Sequence, residues 1–171
     1  MRRFVVLALL YTAQGLPLGF FSHAVPVLIN RTHPAELAGL STFLAIPWAL
    51  KFAFAPTVDG IASRRRVILP MNVACVVSLV ALGLARPSPN HLMPLLVGFF
   101  VVSVFSAVQD VATDALALDL LSPEERGTGG SVQVGAQRAG IIGGGGGILA
   151  IIDTIGYRES FFLMAFMLAL L

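Results

Sequence analysis

Apolar stretches about as long as a bilayer is thick recur along this chain, and that recurrence constrains its fold more than any other feature. A helix needs about 20 mostly apolar residues to cross the hydrocarbon core. On that ruler, spans fall near residues 4–29, 37–58, 67–85, 92–118 and 131–152. A sixth begins at Ser160 and reaches Leu171; at 1.5 Å per residue it rises about 18 Å, short of a core about 30 Å thick. Only 12% of the residues are charged, about half the share of a soluble domain. The expectation is an all-α integral membrane bundle over residues 1–171, either part of a longer protein or paired with a second copy.

The opening segment, MRRFVVLALLYTAQGLPLGFFSHAVPVLI, puts two arginines before an apolar run, as a secretory signal does. The run is longer than a signal core of about 7–15 residues and no small-residue cleavage site follows it, so it reads as the first span. The connecting loops alternate sides. The N-terminus with the second and fourth loops holds Arg2, Arg3, Arg64, Arg65, Arg66 and Arg126; the other loops hold Arg31, Arg86 and Arg158. This bias places the N-terminus in the cytoplasm. In the fourth loop, Ser122, Pro123 and Glu125 have the spacing of an N-cap, a first-turn proline and a capping-box glutamate. Cys75 lies alone in an apolar run and reads as a small core residue. No basic patch with interleaved aromatics is present, so nucleic acid is not an expected partner.

Polar residues inside such spans are costly and tend to mark pathways. At about 100° per residue, Ser103, Ser106, Asp110, Thr113 and Asp114 share one face of the fourth helix, with Gln109 beside them, while Asp119 points away at the interface. Lys51 and Arg138 lie at similar depth, so the expectation is that these two cations balance Asp110 and Asp114 across helices. Purely structural pairing is the plain alternative. In the first span Gln14 lies near mid-membrane, Tyr11 shares its face, and Gly15, Pro17 and Gly19 weaken the helix around them. His23 reads as an interfacial residue. Trp48, one turn before Lys51, either packs in the core or stacks on a ring of a solute. The run Gly143–Gly147 marks either close helix approach or a bend.

Two resemblances carry different functions. DGIASR at 59–64 is similar to the D-G-x-x-A-R motif of membrane CDP-alcohol phosphotransferases, and Asp110 and Asp114 have that family's D-x-x-x-D spacing. The match breaks at Pro56 and Val73, which stand where an aspartate and a glycine are needed, and the aspartate pair falls one helix too late. No metal, cofactor or enzymatic step is therefore expected. The stronger resemblance is to the N-terminal half of a major facilitator superfamily transporter, a six-helix bundle of two inverted three-helix repeats. It rests on YTAQGLPLGF, AIPWALKFAFAPTVDGIASRRR and FSAVQDVATDALALDLLSPEERGTGGSVQVGAQRAG. Within that superfamily the chain resembles the muropeptide permeases and the related acetyl-CoA transporters.

That resemblance implies proton-driven import of anhydromuropeptides across the inner membrane, with acetyl-CoA or another small anionic solute as the alternative and a non-transporting scaffold as a third class. It implies a pathway of Tyr11, Gln14, Trp48, Lys51, Gln109, Asp110, Asp114 and Arg138. It also implies a cytoplasmic gate at Asp59, Arg64, Arg65 and Arg66, although the arginine usual directly after the aspartate is missing. The partners would be the solute, protons, the lipid bilayer, and the remaining half of the protein or a second copy.

Overall fold

The computed structural model describes residues 1–24, 26–27, 30, 43, 46–61, 63–85 and 92–171. The readings at Arg31 and Arg86, the start of the second span at residue 37, and the side chain of Asp59 lie outside the described residues. Among the described residues the chain is helical: α1 (Arg2–Gly19), α2 (Ala55–Asp59), α3 (Arg65–Ala85), α4 (Leu92–Leu120), α5 (Arg126–Ile141), α6 (Ile148–Ile155) and α7 (Tyr157–Leu170). Four described helical stretches are long and apolar enough to cross a membrane: Arg2–Ala24, Arg65–Ala85, Met93–Leu120 and Pro123–Ile155. The capping box forms as its spacing predicts, with the Ser122 N–H donating to Glu125 Oε2 at 3.1 Å. The span placed at 131–152 therefore starts earlier, through a 3-10 turn at Pro123–Glu125 that leads into α5.

The second span is not the single helix that its hydropathy predicts. Residues 46–49 are helical, Leu50 is a turn, Lys51–Phe54 form a 3-10 helix, and α2 follows. The physical reason is Pro56, which has no N–H to give the carbonyl of Phe52; the N–H of Ala55 takes that carbonyl instead and tightens the turn. This break sets the position of Lys51. Pro17, by contrast, leaves α1 continuous, and the helix widens only beyond it, in a π-helical turn at Phe20–Ala24. A second π-helical turn, Ile142–Gly147, joins α5 to α6, and the two wide turns pack against each other. Gly156, with φ of +97°, separates α6 from α7, a conformation that glycine adopts without steric cost.

α1 packs along α5 and α4, and α3 packs against α4 and α7. Glycines bring α1 and α5 together backbone to backbone. A methyl group built on Gly15 would lie 2.9 Å from the Gly140 Cα, and one built on Gly140 would lie 2.8 Å from the Gly15 Cα. Gly19 and Gly144 repeat this contact four residues on, against the backbones of Ile141 and Leu16. Close approach of this kind is how helices gain packing energy in lipid, where apolar burial gives little driving force. A cluster of Phe20, Phe99 and Phe161, with ring centroids 5.8–5.9 Å apart, ties the wide turn after α1 to α4 and α7. Cys75 is buried in the same core.

Candidate functional site

α4 buries Ser103, Ser106, Gln109, Asp110 and Thr113, and leaves Asp114 partly open. The stripe read from the sequence is thus a physical face, and it looks toward α1 and the broken second span. Lys51 Nζ, carried by the 3-10 turn, lies 2.8 Å from Asp110 Oδ2 and 3.8 Å from Asp114 Oδ2. One ammonium group therefore bridges two carboxylates.

Asp114 has two further partners. The Tyr11 hydroxyl donates to its Oδ1 at 3.0 Å, and the Gln133 amide donates to the same oxygen at 3.0 Å. Helices α1, α4 and α5 and the 3-10 turn therefore converge on one carboxylate pair. With both carboxylates ionised, the trio of Lys51, Asp110 and Asp114 carries one net negative charge. In a low-dielectric core such an excess charge favours uptake of a cation or a proton.

The bundle also holds unused hydrogen-bonding capacity. Among the described residues Asp110 Oδ1, Gln14 Oε1, Gln109 Nε2 and Trp48 Nε1 are buried without a partner. Gln14 reaches the Gln109 carbonyl at 3.5 Å, and the Thr113 hydroxyl donates to the same carbonyl at 2.9 Å. Buried polar atoms without a partner are uncommon in folded proteins, which sets these groups apart. Below the carboxylates, a cavity of about 240 Å³ is lined by Tyr11, Asp114, Leu118, Leu121, Arg126 and Gln133 among others.

Arg138 does not join this cluster, which corrects the expected pairing of two cations with two aspartates. Gln133 touches Asp114, and Arg138 lies five residues further on, about 7.5 Å along α5 and about 140° around it. It lines a separate cavity of about 410 Å³ with His23, Gln137, Val134, Ile141 and Ile142. His23, expected to be an interfacial residue, is exposed and lines this cavity from the π-helical turn.

At the end of the bundle that carries the chain start, Arg64 Nε contacts Asp119 Oδ2 at 3.2 Å, and its Nη1 donates to the Val58 carbonyl at 2.7 Å. Arg3 Nη1 pairs with Glu125 Oε2 at 2.9 Å. Arg65 and Arg66 are exposed. Gln133 was missed from the sequence; its four-residue spacing from Gln137 on one helix face was the available signal.

The Major Facilitator Superfamily model matches residues 4–171. An uncharacterized protein of Haemophilus influenzae is 32% identical over 151 residues, covering 84% of this chain and 35% of that protein. The anhydromuropeptide permease of Escherichia coli is 28% identical over 173 residues, covering 97% of this chain and 35% of that protein. The chain thus spans about a third of the length of these curated relatives.

Proposed function

The chain belongs to the Major Facilitator Superfamily, and from that premise we propose that it is part of a proton-coupled transporter importing anhydromuropeptides across the inner membrane. The observation that carries this reading is the single cation shared by two carboxylates, Lys51 between Asp110 and Asp114. One proton added to the pair makes the trio neutral, and a neutral cluster crosses between outward and inward arrangements without carrying charge through the bilayer. Asp110 Oδ1, which meets no donor among the described residues, and the partly open Asp114 are the two landing places. Lys51 holds the remaining carboxylate in place in either state.

Substrate class is argued from the remaining polar groups. Gln14, Gln109 and the indole N–H of Trp48 offer buried, unused hydrogen-bonding atoms, and Tyr11 and Gln133 edge the cavity beside Asp114. Sugar hydroxyls and peptide amides complement such a set, and the name of the Escherichia coli relative points the same way. In this reading the N-terminus and the turn holding Asp59, Arg64, Arg65 and Arg66 face the cytoplasm as a gate. The rest of the protein, or a second copy, supplies the opposite wall of the pathway.

The test is pH-gradient-driven uptake of labelled anhydromuropeptide into vesicles carrying the full reading frame, with labelled acetyl-CoA run in parallel. Muropeptide uptake that collapses with an uncoupler is the expected result. Uptake of acetyl-CoA alone would overturn the substrate, and a gradient response that survives D110N together with D114N would overturn the coupling assignment.

A further inference from the structure

The second cavity has no role in that mechanism, and its chemistry differs from that of the carboxylate pair. Arg138 projects from the last turn of α5 and is exposed, and no hydrogen bond or ion pair engages it among the described residues. An intramembrane cation without an acidic partner is costly and marks a site by default. The Gln137 and His23 side chains share the cavity and are likewise without hydrogen-bond partners among the described residues. His23 is held there by the packing of the two wide turns, since a methyl group built on Gly145 would lie 3.1 Å from its Cβ. The other lining side chains, Val134, Ile141 and Ile142, are apolar.

A planar guanidinium with an amide and an imidazole beside it presents several N–H donors from one wall of an open cavity. The guanidinium fork matches a carboxylate two bonds at a time. The Lys51 centre cannot serve this purpose, because its ammonium already faces two carboxylates. We propose that Arg138, Gln137 and His23 form a carboxylate-binding subsite, separate from the proton-coupling pair, that anchors the acidic end of the transported solute. This rests on the transport reading above and refines it: the solute must carry a free carboxylate.

The experiment compares uptake of labelled anhydromuropeptide with uptake of the same solute after amidation of its carboxyl groups, using the full-length protein in proteoliposomes. Amidation is expected to raise KM about tenfold or more in the wild type, the loss of one charge-assisted contact. Arg138→Gln should raise KM for the acid form by a similar factor and leave the amidated form unchanged, and Arg138→Lys should recover part of the difference. Equal losses for both forms, as expected if Arg138 pairs with an acidic residue of a neighbouring bundle, would overturn the subsite, as would no change in either. If Arg138→Gln fails to assemble, Gln137→Leu decides by the same comparison. If neither form is carried at all, thermal stabilisation of the purified protein by succinate decides: stabilisation lost in Arg138→Gln keeps the subsite and drops the muropeptide. No stabilisation of the wild type, or equal stabilisation of both proteins, overturns the subsite.

Discussion

Lys51 and Asp110 meet at 2.8 Å, yet the lysine side chain is 43% exposed and the aspartate side chain only 2%. That asymmetry decides which partner the fold can lose. Lys51→Met strands a buried carboxylate and should cost about 3 kcal/mol. Asp110→Asn releases a lysine that already reaches the surface, and should cost about 1 kcal/mol. Denaturant unfolding of the purified protein measures both, and the double variant should recover part of the Lys51→Met loss. The reverse order of costs would mean that Asp110 is not the charge the pair protects.

Asp114 Oδ1 accepts from both Tyr11 and Gln133. Tyr11→Phe and Gln133→Leu should each lower stability by about 1–2 kcal/mol. The double variant should lose less than the sum, because one carboxylate oxygen serves both donors. Gradient-driven uptake should fall in both single variants, with Asp114 no longer held toward Lys51. A strictly additive double variant would show that the two donors act independently.

The glycine contact between α1 and α5 makes an ordered prediction. Gly140→Ala and Gly144→Ala press a methyl group onto the backbones of Gly15 and Leu16, and should destabilise by about 1–3 kcal/mol. Gly146→Ala meets nothing within 4 Å, and should be neutral or stabilising by up to about 1 kcal/mol. Thermal unfolding of the three variants side by side checks the order, and equal effects would remove the backbone contact from the account.

Glu125 both closes the capping box at Ser122 and pairs with Arg3. Ser122→Ala should cost about 1 kcal/mol. Glu125→Ala should cost somewhat more, because it also frees Arg3. Raising the salt concentration should narrow the gap between the two variants, since the ion pair is partly exposed and screened while the cap is not.

The membrane bundle was legible because lipid imposes a length and a composition on every span, and α3, α4 and the capping box lie where those rules put them. The aspartate stripe was legible because 100° steps along an unbroken helix such as α4 are reliable. Arg138 was misplaced for a related reason: matching its depth to the aspartates ignored its position around α5, where it points well away from Gln133. The break before Lys51 was written in Pro56 but hidden by continuous hydropathy. The glycine run at 143–147 suggested contact, and Gly144 and Gly145 within it do meet Leu16 and Gly19; the contact begins a turn earlier, at Gly140 against Gly15, a four-residue spacing that only the packed pair reveals.

The two wide turns change the phase of their helices. Each holds one residue more than an α-turn, so everything beyond it is rotated by about 100° from where an unbroken helix would aim it. Ile148 and Ile152, both buried, owe their direction to the slip at Ile142–Gly147. Deleting one glycine from the second run would leave a helix of nearly the same length and swing those isoleucines out of the core. Because the slips lie side by side, both helices change phase at the same level of the bundle.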